Sequence, residues 1–190
     1  MDKTKEIILA TSQKLFSRFG LDKTAVDEIA KFAHVAKGTI YNYFKSKINI
    51  FEEVVKSERQ VLQHEIKVKI DAVNTPQEKL RAFVLTRFKV REKLINYYNA
   101  LTDEYLRQYP FIEEIRKNDF ENDIKMVSEI LEEGLKKGAF IIQNVHLTAI
   151  AIITAIRGLE YPWDLDEPLQ DIEKNADGLL NLLFKGIEAS

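Results

Sequence analysis

Thr24-Ala25-Val26-Asp27-Glu28-Ile29-Ala30-Lys31-Phe32-Ala33-His34-Val35-Ala36-Lys37-Gly38-Thr39-Ile40-Tyr41-Asn42-Tyr43-Phe44-Lys45-Ser46-Lys47 is the stretch that decides the fold. It reads as a pair of short helices joined by a tight turn. Thr24 is placed to cap the first helix, and Asp27 stands three residues on, at the acidic position of a capping box. Val26, Ile29, Ala30 and Ala33 recur at helical spacing and give this helix one apolar face. The turn falls at Ala33-His34-Val35, and a second helix runs from about Lys37 to Phe44. Its inward anchors are Ile40 and Phe44, one turn apart. Gly38 and Asn42 point the opposite way, flanked by Thr39, Tyr41 and Tyr43. Small, hydroxyl and amide groups on an exposed helical face suit base edges and phosphates, which take donors at close range. Between Lys37 and Lys47 there are three lysines and no acid, so the face is also positive. This is a helix-turn-helix pattern.

The same residues resemble the DNA-binding domain of the TetR family of transcriptional regulators. The resemblance rests on Thr24, Ile29-Ala30, Ala33, Val35, Lys37-Gly38-Thr39-Ile40-Tyr41, Tyr43-Phe44 and Ser46-Lys47. Upstream it takes in Ile8-Leu9, Leu15-Phe16 and Gly20. There are three departures from the family pattern: His34 stands for the usual turn glycine, Ala36 for a Ser or Thr cap, and Thr11-Ser12 for an Ala-Ala pair. Histidine tolerates a left-handed backbone better than branched residues do. Lack of a side-chain cap at Ala36 weakens the following helix by about 1 kcal/mol. The resemblance implies that Lys37, Gly38 and Tyr41, with Asn42 beside them, approach bases. It implies that Thr24, Thr39, Tyr43 and Lys47 hold phosphates. It also implies double-stranded operator DNA as partner and an all-α fold of about nine helices. The expected division is a helix-turn-helix domain over 1–46 and a helical ligand-binding and dimerisation bundle over 47–190.

Charge agrees with this division. The chain has 190 residues and a net charge of −2. Residues 1–50 carry nine Lys/Arg against five Asp/Glu, whereas the remaining 140 carry 19 against 25. A basic N-terminal module on an acidic body is the electrostatic footprint expected of a DNA binder. The absence of cysteine excludes disulfides and thiolate chemistry. Met1-Asp2-Lys3-Thr4-Lys5-Glu6 is charged and leads into an amphipathic helix rather than a signal peptide. The apolar run from Ala149 to Ile156 is too short for a bilayer. A cytoplasmic protein without membrane partners is the expectation.

Helices are predicted throughout. One spans about Asp2 to Phe19, with Ile8, Ser12, Leu15, Phe16 and Phe19 inward and Gly20 as its left-handed stop. Lys47 to about Ala72 makes a long helix striped by Ile50, Phe51, Val54, Val61, Leu62, Glu65 and Ile66. Thr75-Pro76-Gln77-Glu78 is a strong start signal for a helix running to about Leu101. A short helix before Pro110, one over Phe111–Lys137 ended by Gly138, and one over Val145–Leu159 capped by Asn144 follow. A last helix is opened by Pro168 and reaches about Ile187.

In that last helix Leu169, Ile172, Ala176, Leu179, Leu180, Leu183 and Ile187 are spaced by threes and fours, as in bundle packing. The preceding helix is apolar on nearly every side around Ile152, and Gly158 permits close approach. A homodimer interface through Ile152, Leu179, Leu180 and Leu183 is the expectation, with packing inside one chain as the alternative.

On the Thr75–Leu101 helix, Arg87 and Arg91 project from the same face as Leu80, Val84, Phe88, Ile95 and Tyr98. A buried guanidinium needs a partner. Either an internal acid such as Glu104, Asp119 or Glu121 supplies it, or the arginines await an anionic group on a small-molecule effector. Arg87, Phe88, Arg91, Tyr98, Tyr105, Phe120 and Trp163 are the candidate effector-binding residues; Tyr97, Phe111 and Tyr161 could join them. Nothing points to catalysis, a metal or a cofactor. His34, His64 and His146 lie in different elements, and Glu113-Glu114 and Glu132-Glu133 belong to solvated faces. The expected function is a repressor released from its operator by an apolar or amphipathic effector. The alternative is a helical carrier of apolar molecules with a vestigial helix-turn-helix.

Overall fold

A computed structural model describes residues 2–103, 106–160 and 172–187. The Asp2 carboxylate accepts the Thr4 N–H at 2.8 Å and so starts α1 (Lys3–Lys23). Ile8, Ser12, Leu15 and Phe16 are buried along it, but Phe19 is 47% exposed and is not part of that face. Gly20 has φ 80° and ψ 166°, which breaks the helix before a final turn to Lys23. Next come α2 (Val26–Phe32), α3 (Lys37–Tyr43) and α4 (Lys47–Asp71). They are followed by α5 (Pro76–Val90), α6 (Ile95–Thr102), α7 (Pro110–Lys136), α8 (Val145–Glu160) and α9 (Ile172–Ile187). No β-strand occurs among the described residues.

The chain forms two compact units, Met1–Val61 with Lys93–Phe111, and Leu62–Glu92 with Ile112–Ser190. The division passes through α4. In the first unit Phe16 and Phe51 meet edge to face with centroids 5.4 Å apart, over a core that includes Ile8, Ile29, Ile40, Phe44 and Ile50. Glu58 is also buried in this unit, 2% exposed. Its carboxylate accepts from Gln13 Nε2 (2.9 Å), Asn96 Nδ2 (2.7 Å) and the Tyr97 N–H (2.8 Å). One acid thereby ties α1, α4 and the first turn of α6, where orphan amide donors need acceptors. Val61 is exposed rather than part of the α4 stripe.

In the second unit the predicted start of α5 is present as a reciprocal capping box. Thr75 N–H donates to Glu78 Oε2 at 3.1 Å and Glu78 N–H to Thr75 Oγ1 at 3.2 Å. The hydroxyl and backbone of Thr75 hold the Glu78 carboxyl below its ordinary value of 4.5. The single helix expected over Thr75–Leu101 does not exist. A 3-10 turn at Arg91–Lys93 and a non-helical Leu94 (φ −116°, ψ 44°) separate α5 from α6, so faces projected at 100° per residue do not carry across. Gly138 (φ 68°) stops α7, and the Asn144 side chain caps α8 by accepting the Leu147 N–H at 2.9 Å. Pro168 and Leu169 lie outside the described residues.

Candidate nucleic-acid interface and effector region

Ile40 and Phe44 anchor α3 inward, 0% and 1% exposed, which turns Gly38, Tyr41 and Asn42 outward. A Cβ built on Gly38 meets nothing within 4 Å, so its own fold makes no demand for glycine there. The turn between α2 and α3 is made by His34 at φ 55°, the left-handed conformation expected where a glycine is usual. Ala36 is the N-cap of α3 and supplies no side-chain hydrogen bond, also as expected.

The start of α2 differs from expectation by one residue. Ala25 is the N-cap, and Glu28, not Asp27, reaches back to accept the Ala25 N–H at 2.9 Å. Thr24 instead closes the broken end of α1. It is 1% exposed, and its hydroxyl donates to the Gly20 carbonyl at 2.8 Å. A hydroxyl turned inward this way is not presented to a phosphate, which corrects the DNA-contact expectation for Thr24.

Three donors on or beside the reading face, Lys37, Tyr43 and Lys47, have protein partners. Lys37 Nζ lies 2.9 Å from Asp27 Oδ1 and 3.0 Å from Oδ2, which raises the Lys37 pKa above its ordinary 10.5. The Tyr43 hydroxyl donates to Asp2 Oδ2 at 2.5 Å. That bond lowers the Asp2 pKa and raises that of Tyr43. At the first position of α4, Lys47 Nζ donates to the carbonyls of Leu21 (2.7 Å) and Asp22 (3.3 Å). Thr39 is half-buried on the same helix as the exposed Asn42.

The described members of the predicted effector set are divided between the two units. Arg87 and Phe88 are buried in the second unit, Phe120 is half-buried there, and Arg91 is half-buried at the end of α5. Tyr98 belongs to the first unit, packed edge to face on Tyr97 at 5.2 Å. Tyr105, Tyr161 and Trp163 lie outside the described residues, as does Glu104. Arg87 has an internal acidic partner in Asp123, at 2.8 Å. Arg157 approaches the same Asp123 carboxylate at 3.5 Å and lies 4.7 Å from the Phe120 ring centroid. The sequence pattern gave no notice of Arg157, because its partner is 34 positions away on another helix. A cavity of about 220 Å³ in this unit is lined by Ile70, Lys79, Met126, Ile130 and Glu133, none of them a predicted effector residue.

The expected interface residues are also sorted by the fold. Ile152 and Leu180 are sealed within one chain at 0% exposure, so they are not available to a partner. Leu179 and Leu183 are half-buried. The outward stripe of α8 is Leu147, Ala151, Thr154 and Gly158, and that of α9 is Gly178, Leu182 and Gly186. Leu147 and Leu182 are 62% and 71% exposed. No described helix is long and apolar enough to cross a membrane.

Residues 8–54 match the family model for bacterial regulatory proteins of the tetR family. Over 98% of its length the chain is 30% identical to the uncharacterized HTH-type transcriptional regulator YhgD of Bacillus subtilis, covering 97% of that protein. It is 29% identical to the HTH-type transcriptional repressor KstR2 of Mycolicibacterium smegmatis, over 72% of this chain and 67% of that one. Among solved structures it resembles the transcriptional regulator FadR from Bacillus subtilis in complex with stearoyl-CoA. That match has 26% identity and a TM-score of 0.70, covering 96% of this chain and 99% of the other. These relatives are regulators rather than enzymes, and they give no support to a carrier with a vestigial reading head. The chain belongs to the tetR family of bacterial regulatory proteins: a ligand-responsive transcriptional regulator that binds operator DNA as a homodimer.

Proposed function

We propose that this regulator is a cytoplasmic repressor, without enzymatic activity, whose operator is read by α3. The observation that carries the reading is the orientation of α3 about Ile40 and Phe44. It leaves a small residue, a phenol, an amide and a lysine together on the outward face. Lys37, Gly38, Tyr41 and Asn42 meet base edges, while Thr39, Tyr43 and Lys47 meet phosphates. The functional division falls after residue 46, with effector binding and dimerisation in 47–190. Apolar and small residues on the outward stripes of α8 and α9 (Leu147, Ala151, Gly158, Gly178, Leu182) are suited to a close contact between two copies.

The effector is an apolar or amphipathic molecule, and Arg87, Phe88, Phe120 and Arg157 surround its charged end. The acyl thioester bound by FadR supports that class. Two guanidiniums converge on one carboxylate at Asp123, so an anionic group entering there gains a charge-assisted partner as Asp123 is shared or displaced. To induce, the effector must favour a conformation unsuited to DNA by as much free energy as operator binding loses. The coupling runs along α4, which begins at Lys47.

Alanine variants test the reading. Lys47→Ala should weaken binding alike on all duplexes and make the salt dependence shallower by about one unit. Lys37→Ala should lose discrimination between operator and random DNA, by about 1–3 kcal/mol. Equal losses on both duplexes from both variants would remove the assignment.

A further inference from the structure

We infer that Asp27 and Asp2 are specificity-determining residues, holding Lys37 Nζ and the Tyr43 hydroxyl away from the phosphates of random DNA until the operator complex brings a matched contact to each. The inference rests on α3 being the reading helix. Within 37–47 there is no acid, so the carboxylates on the reading face come from elsewhere: Asp27 from the first turn of α2, and Asp2 from the cap of α1. Asp27 presents both oxygens to Lys37, at 2.9 and 3.0 Å, and Asp2 takes the Tyr43 proton donor at 2.5 Å.

Stability does not account for these contacts. The Lys37 and Asp27 side chains are 51% and 70% exposed, and exposed pairs of this kind contribute little. Lys37 also stands at the first position of α3, where a positive charge opposes the helix dipole. Asp27 offsets that charge and, by doing so, fixes where the amine points. Each pair stabilises the charge state present at neutral pH, with the lysine protonated, the phenol neutral and the Asp2 carboxylate ionised.

The consequence appears when DNA arrives. Binding to random sequence is almost entirely phosphate neutralisation with release of counterions. A lysine already neutralised by a carboxylate releases none, and the carboxylate itself repels the nearest phosphate. On random DNA the alternative partner is one more oxyanion, which offers Lys37 nothing that Asp27 lacks. Operator DNA offers base acceptors of matched geometry in the major groove, and the exchange becomes favourable. The carboxylates therefore subtract a contact from random binding that they do not subtract from operator binding.

Asp27→Asn and Asp2→Asn test this on the full-length dimer. Asparagine keeps the cap to Thr4, because its amide oxygen accepts as the carboxylate does, and thermal unfolding checks that the fold is unchanged. The probes are a duplex enriched by the wild-type protein from a random pool, and an unselected random duplex. Anisotropy titrations across a salt series should show Asp27→Asn binding the random duplex about three- to tenfold more tightly, with a salt slope steeper by about one. The enriched duplex should gain less than about twofold, so the specificity ratio falls. Asp2→Asn should lower the specificity ratio only while Tyr43 is present, and Asp27→Asn only while Lys37 is present, as double-mutant cycles with Tyr43→Phe and Lys37→Ala report. Equal strengthening on both duplexes, or the same fall in the specificity ratio from Asp27→Asn in the Lys37→Ala background, would overturn the inference. Failure of the wild type to enrich any duplex would instead defeat the reading of α3, and this inference with it.

Discussion

Gly38 separates what the fold needs from what DNA needs. An added Cβ meets nothing within 4 Å, and the residue sits inside α3, where glycine is disfavoured against alanine. Gly38→Ala should therefore raise the unfolding free energy by about 0.5–1 kcal/mol, since alanine restricts the unfolded chain and favours the helix. The same methyl group lies on the reading face and should weaken operator binding at least about tenfold if the helix backbone approaches the bases closely. Chemical denaturation and a binding titration on one preparation check both. A variant that is more stable and binds as well as wild type would show that α3 does not approach DNA through Gly38. His34 carries the opposite lesson at this scale. Its φ of 55° is a strained position that the sequence announced, because a histidine stands where a glycine is usual.

Element boundaries were legible where local chemistry sets them. Thr75-Pro76-Gln77-Glu78 marks α5, Asn144 marks α8, and Gly138 ends α7, each through hydrogen bonds or φ values decided within four residues. The break between α5 and α6 was not legible, because Arg91-Glu92-Lys93-Leu94 contains neither glycine nor proline. Nor was the one-residue shift from Thr24 to Ala25 as the cap of α2, since Thr24 is claimed by the Gly20 carbonyl across the kink. Gly134 shows a further demand that no periodicity reveals. A Cβ there would overlap the Phe140 ring, which is folded back onto α7 and is 2% exposed. Gly134→Ala should cost about 1–3 kcal/mol, despite alanine's better helix propensity, because the ring must leave its site. Thermal or urea unfolding measures it; a neutral or stabilising effect would mean that the C-terminal end of α7 and Phe140 do not pack this way.

At the scale of the molecule, long-range partners decide what the sequence left open. Arg87 needs an acid, as its place on an apolar face implied, but Asp123 lies 36 residues away, beyond the reach of any local pattern. A helix apolar on nearly every side gives no face, which is why Ile152 and Leu180 were expected at an interface and are instead inside the chain. The outward positions are those of the Leu147 and Leu182 stripes. Leu182→Asp should convert the homodimer to monomer while leaving each chain folded, because an unpaired carboxylate would be buried at the contact but solvated in the separated chain. Sedimentation equilibrium with circular dichroism reports both. A folded dimer carrying Leu182→Asp would place the interface elsewhere.

The central claim is that a basic helix-turn-helix head reads DNA in sequence-dependent fashion and through phosphate neutralisation. It is tested most directly by titrating the wild-type protein onto its enriched duplex and onto random duplex from about 50 to 200 mM salt. The account predicts affinities that fall by orders of magnitude over that range on both duplexes, with the enriched duplex bound at least about 10³-fold more tightly throughout. Binding indifferent to salt, or equal on the two duplexes, would contradict it.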